Sequence, residues 1–126
     1  MKKRVTDADI ADRVRCAVRA ADDRKAADLK VLALADVSDF TDYFLICSGG
    51  SDRQVQAIAD AVDETLRAEK VRPLHVEGLN AGHWVLLDYG DFIVHVFDDE
   101  TRRFYGLERL WADAPEVTDR FRAAAS

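Results

Sequence analysis

Cysteine is scarce: Cys16 and Cys47 are the only two in 126 residues. That excludes a disulfide framework, and their amphipathic or strand-like surroundings mark both as buried, reduced thiols. With two prolines and six glycines, the composition fits neither a fibrous nor a disordered chain. No apolar run approaches the roughly 20 residues needed to cross a bilayer. The opening Met1-Lys2-Lys3-Arg4 runs directly into Thr6-Asp7-Ala8-Asp9, without an apolar core or an Arg- and Ser-rich extension. The expectation is therefore a cytoplasmic chain with no membrane association. An excess of basic residues is missing as well: 18 Lys and Arg stand against 24 Asp and Glu, a net charge of −6. Affinity for a phosphate backbone comes from clustered cations that release counterions, so neither general nor sequence-specific nucleic-acid binding is expected.

With 48% hydrophobic and 33% charged residues, the chain can bury one core and stay in solution, as a single domain of ordinary size. Residues 1–30 carry nine basic and six acidic side chains, a net of +3, and residues 31–126 nine against eighteen, a net of −9. An acidic body of this kind suits a basic protein partner.

Periodicity outlines the elements. Ile10, Val14, Ala17, Val18 and Ala21 form one stripe of a helix over residues 7–25, entered at Thr6. Arg13, Arg15, Arg19 and Arg24 lie mostly off that stripe among Asp12, Asp22 and Asp23, which reads as a solvated face. Residues 29–34 form a strand, 35–42 a polar loop, and 43–47 a strand apolar on both faces and hence internal. Ser51 with Gln54 suggests a capping box for a helix carrying Val55, Ile58, Ala59, Val62 and Leu66, ending near Glu69. Leu74-His75-Val76 suits a short edge strand after Pro73. Two clear strands, 83–88 and 91–97, flank Tyr89-Gly90 as a tight hairpin. A helix from Arg102 to Trp111 would place Phe104, Leu107, Leu110 and Trp111 on one side. Residues 116–126 read as a loosely attached tail or a frayed helix, giving a domain over 1–113 and a tail over 114–126. The order implies an α+β fold, a mixed sheet of four or five strands with helices packed on it.

A search for chemistry returns little. Ser48-Gly49-Gly50-Ser51 joins a strand to a capped helix, where phosphates bind in other proteins, but no P-loop lysine and no GxGxxG accompany it. Nucleotidyltransferases share such a start, yet they need paired carboxylates on a neighbouring strand to hold metal. Asp60, Asp63 and Glu64 fall on a helix surface instead, and Asp88 and Asp91 flank the hairpin turn. His75, His83 and His95 show no zinc-ligand spacing. His95, in an apolar strand, reads as a hydrogen-bonded sheet histidine. No catalytic residue, metal or cofactor is expected. What stands out is a concentration of aromatics between Trp84 and Trp111 mixed with carboxylates, which serves either as core or as an interface with a partner.

Several stretches resemble the ribosomal silencing factor (Iojap-like) family. They are Asp42-Tyr43-Phe44-Leu45-Ile46-Cys47-Ser48-Gly49, Ser51 to Ala59, Glu77-Gly78, Trp84 to Asp91, Val94-His95-Val96-Phe97 and Arg103 to Trp111. They cover about residues 7–113 in the right order. The resemblance implies a nucleotidyltransferase-like fold without catalytic carboxylates. It further implies binding to the large ribosomal subunit through ribosomal protein fourteen, which blocks the small subunit and lowers translation under nutrient limitation. A homodimer of the free protein is compatible with it. Organellar relatives assist large-subunit assembly. Motif positions carried over as candidate interface are Trp84, Leu87, Asp88, Tyr89, Asp91, His95, Tyr105 and Glu108. The alternatives are a divergent nucleotidyltransferase, which would bind nucleotide with magnesium, and an RNA-binding assembly factor using the basic first helix.

Overall fold

Thr6 and Asp9 start the first helix by satisfying each other's backbone. The Thr6 hydroxyl accepts from the Asp9 N–H and the Asp9 carboxylate from the Thr6 N–H, both at 3.1 Å. In the computed structural model, which describes residues 5–122, α1 then spans Asp7–Asp23 and buries the expected stripe of Ile10, Val14, Ala17, Val18 and Ala21. The basic residues 1–4 and the final four residues of the expected tail lie outside the described residues.

The strands are β1 (Ala27–Ala33), β2 (Tyr43–Gly49), β3 (His75–Glu77), β4 (Trp84–Asp88) and β5 (Phe92–Asp98). They form one sheet in the order β1-β2-β5-β4-β3. Among the described residues only the β2–β5 pair is parallel. The continuous apolar runs of β2 and β5 put both strands inside the sheet, with side chains buried on both faces. Gly90, at φ +85°, closes the expected hairpin between β4 and β5, and β3 is the expected short edge strand.

One face of the sheet is well covered. The second helix, α2 (Asp52–Ala68), lays Val55, Ile58, Val62 and Leu66 beside α1 against Leu45, Val94, Val96 and Leu87. At its start Ser51 accepts from the Gln54 N–H at 3.1 Å. The reciprocal half of the expected capping box is replaced. Gln54 Oε1 accepts from the Gly50 N–H at 2.6 Å, and its Nε2 donates to the carbonyls of Arg24 and Lys25, each at 3.3 Å. The side chain therefore ties the Gly turn to the end of α1.

The helix expected from Arg102 to Trp111 is two helices, α3 (Asp99–Tyr105) and α4 (Leu107–Leu110). Gly106 takes the left-handed conformation, φ 58° and ψ 45°, which glycine adopts without the Cβ penalty and which ends a helix. The break swings Leu107 and Trp111 onto the second face of the sheet. Phe104 and Leu110 point outward instead, 79% and 73% exposed.

The expected loose tail is also corrected, as far as residue 122. Pro115 accepts from the Ala33 N–H at 2.9 Å and Val117 donates to Val31 at 2.8 Å, covering the outer edge of β1. The short helix α5 (Thr118–Arg122) follows. Its Phe121 packs edge-on to Tyr43, with ring centroids 5.3 Å apart, while Thr118 Oγ1 accepts from the Val31 N–H at 3.0 Å. Covering a sheet edge in this way removes a site of unwanted strand pairing.

Candidate functional site

The Gly turn is built for packing. A Cβ on Gly49 would stand 2.9 Å from the Val55 backbone nitrogen, so the turn needs glycine for the close approach of α2. The carboxylate nearest in register is Asp98, opposite Gly49 on β5. Both of its oxygens are engaged, Oδ1 by the Thr101 N–H and Oδ2 by His83 Nδ1, each at 2.7 Å. Burial opposes its ionisation, but the Thr101 and His83 hydrogen bonds outweigh that and hold its carboxyl below the ordinary range. Asp98 is thus the N-cap of α3. Among the described residues no group of three His, Cys, Asp or Glu side chains could hold a metal ion.

A cavity of about 660 Å³ beside this turn contains Arg102 and Glu108. Arg102 spends its guanidinium internally. Nε donates to Glu108 at 2.6 Å, and two further N–H groups reach Ser48 Oγ and the Asp28 carbonyl, each at 2.7 Å. It works as a strut between α3 and the β1–β2 end of the sheet. Cys47 is fully enclosed, and burial pushes its thiol up to about 12. Burial also raises the thiol of Cys16. Neither is an activated nucleophile; both are free thiols, Cys47 buried as expected and Cys16 only half-buried.

The aromatic residues assemble on the second face of the sheet. In register, Trp84 faces Phe97 and Leu86 faces His95 on β5. Ile46 and Phe44 on β2 face His95 and Ile93. Trp84 stacks on Phe97 with centroids 4.9 Å apart, and Tyr105 lies over Trp84 at 4.7 Å. The indole Nε1–H donates to His95 Nδ1 at 3.1 Å. His95 is buried, and desolvation pushes its pKa down to about 3, so the ring is neutral. That bears out the sheet-histidine reading. At the other end of the face Phe40, 56% exposed, leans on Phe44 and Trp111 at 6.0 and 5.7 Å.

Of the eight expected interface residues, Trp84, His95 and Tyr105 are therefore brought together, with Tyr105 exposed, Trp84 half-buried and His95 beneath them. Leu87 and Tyr89 sit on the opposite, helix-covered face, 2% and 8% exposed. Contact with a partner through these two side chains, or through His95 at 3% exposed, does not fit that burial. Asp88 and Asp91 are at the hairpin tip. Asp88 accepts from the Gly90 N–H at 2.8 Å, an Asx turn. The Asp91 carbonyl accepts from the Asp42 N–H at 2.9 Å. Burial first, and the charges of Asp91 and Asp7 next, raise the Asp42 carboxyl. Asp88 lies four strand residues from Trp84, about 13 Å. Glu108 is at the far end, paired with Arg102 and 3.9 Å from Lys30. The carboxylates do not form one cluster.

Phe104, which packs edge-on to Tyr105, and Phe40 extend this face, although neither is among the eight residues expected at the interface. A lone aromatic in the polar loop 35–42 and Gly106 beside Tyr105 were the available signals.

Residues 7–126 match the family model described as "Ribosomal silencing factor during starvation". The chain belongs to the ribosomal silencing factor family. Within it, the ribosomal silencing factor RsfS of Bacillus subtilis is 43% identical over 102 residues, which is 81% of this chain and 86% of that relative. A crystal structure of a Chromobacterium violaceum protein superposes with a TM-score of 0.80 at 33% identity, covering 82% of this chain and 86% of that one. The family extends to organelles. Mouse mitochondrial assembly of ribosomal large subunit protein 1 is 34% identical over 89 residues, 68% of this chain and 39% of that protein. In this family member the Gly turn is a packing device and the aromatic face is the largest feature left to explain.

Proposed function

We propose that the chain docks on the large ribosomal subunit through the open second face of its sheet, with ribosomal protein fourteen as its contact. Seated there it blocks the approach of the small subunit and lowers translation under nutrient limitation. It acts in the cytoplasm, by occlusion and not by catalysis. The observation that carries this reading is the half-buried Trp84 with Tyr105 on its outer side and the exposed Phe104 next to it, a surface over which no further element packs among the described residues. Aromatic side chains presented at low conformational cost beside charges are what binding hot spots are made of. The names of the relatives, ribosomal silencing factors and a large-subunit assembly protein, support a ribosomal partner. The spent carboxylates of Asp98 and the internally bonded Arg102 support the absence of catalysis.

Co-sedimentation with isolated large and small subunits tests the reading. Selective recovery with the large subunit at micromolar concentration requires about −8 kcal/mol or better. Equal recovery with both subunits, or with neither, overturns it. Calorimetric titration with nucleoside triphosphates and magnesium is expected to be silent, and saturable low-micromolar heat would reinstate a nucleotidyltransferase.

A further inference from the structure

We infer that His95 is a positioning residue for Trp84: its Nδ1 accepts the indole N–H and fixes the orientation in which Trp84 and Tyr105 are presented to the ribosome. This rests on the docking face proposed above.

The 3.1 Å bond from Trp84 Nε1 to His95 Nδ1 determines the tautomer. Indole nitrogen only donates, so Nδ1 must be the bare nitrogen of a neutral ring and the proton sits on Nε2. Nε2 is buried and has no hydrogen-bond partner among the described residues. A buried donor left unpaired destabilises the fold. A leucine would fill the same position between Leu86 and Ile46 with no orphaned donor. What the imidazole adds is an acceptor for the indole. It adds it where orientation matters, because Trp84 is held from below by Phe97 and His95 and carries Tyr105 on its outer side. Without the acceptor, the indole N–H would have to leave the sheet face for water, and Tyr105 would lose the ring it rests on. His95 itself, 3% exposed, does not touch a partner.

Three variants and one spectroscopic measurement separate the possibilities. His95→Asn keeps an acceptor near the Nδ1 position, His95→Leu removes it at similar volume, and Trp84→Ala removes the ring. Affinity for large subunits is expected to fall about tenfold or more in His95→Leu and Trp84→Ala and to stay within about threefold in His95→Asn. Nitrogen NMR of the unmodified chain is expected to show His95 protonated at Nε2, with a slowly exchanging Trp84 indole proton. Equal losses in the two His95 variants, or undiminished binding by His95→Leu, overturn the inference while the docking reading stands on Trp84→Ala. A proton found on Nδ1 overturns it even if the variants fail to fold. Failure of the unmodified chain to bind overturns the docking reading instead, without touching the tautomer result.

Discussion

A buried neutral histidine also makes a thermodynamic signature at the scale of a single residue. His95 has its folded pKa pushed down to about 3 by desolvation, while an unfolded chain returns it to about 6.5. Between those values the unfolded state takes up a proton that the folded state refuses. Stability is therefore full above about pH 6.5 and falls as the pH is lowered toward 3, with a slope from this group approaching 1.4 kcal/mol per pH unit. Asp98, whose folded pKa is depressed, adds a second loss that begins as the pH falls through the ordinary carboxylate range. Urea titrations from pH 8 to pH 4 check this. The unmodified chain should hold its stability from pH 8 to about 6.5 and lose it below, and His95→Asn should lose clearly less between pH 6.5 and 4. Parallel pH profiles for the two proteins would mean that His95 is accessible to protons in the folded state.

At the scale of elements, the C-terminal segment tests what holds the domain together. Phe121 is 4% exposed against Tyr43, and Arg122 pairs with Asp22 at 2.7 Å. We place the end of the domain beyond residue 113, and Phe121→Ala is expected to cost about 3–5 kcal/mol, the usual range for emptying a buried phenylalanine site. Truncation after residue 114 is expected to cost at least as much, because it also bares the edge of β1. Chemical unfolding reads both, and a truncated chain of unchanged stability would restore the tail. The sequence showed α2 and the β4–β5 hairpin well, since helical spacing and Tyr89-Gly90 are local signals. It offered α5 only as one of two readings of the tail, because a five-residue helix is too short for periodicity. The Thr118 bond to Val31 spans 87 residues, so no local window contains it. The break at Gly106 was hidden because Phe104, Leu107, Leu110 and Trp111 also fit one continuous helix, and one glycine inside a helix costs only about 1 kcal/mol. The site was half legible for a related reason. Alternation in β4 separates Trp84 and Leu86 from Val85 and Leu87, but which set is roofed depends on where α1 and α2 lie.

On the whole molecule, the two faces of the sheet differ: α1 and α2 roof one, while α3 and α4 leave part of the other open, the face proposed for docking. Stability and docking should therefore respond to different substitutions. Phe104 and Tyr105, 79% and 53% exposed, have little burial to lose. Replacing both by Ala is expected to change stability by no more than about 0.5 kcal/mol. If they are anchors of the docking face, the same pair should weaken large-subunit binding by about 2 kcal/mol or more, roughly thirtyfold. Leu87→Ala, on the roofed face, is expected to do the reverse, costing about 2–5 kcal/mol of stability with affinity unchanged while the protein stays folded. Charge at the hairpin tip belongs to a third class. Asp88→Asn with Asp91→Asn should mainly slow association with a basic partner, by an amount that added salt reduces, since these carboxylates stand about 13 Å along the strand from Trp84. Thermal unfolding and subunit-binding kinetics on the four proteins separate the three classes. If the Phe104 and Tyr105 pair binds as the unmodified chain does while Leu87→Ala binds weakly, the partner sits elsewhere and the open face has to be explained in another way.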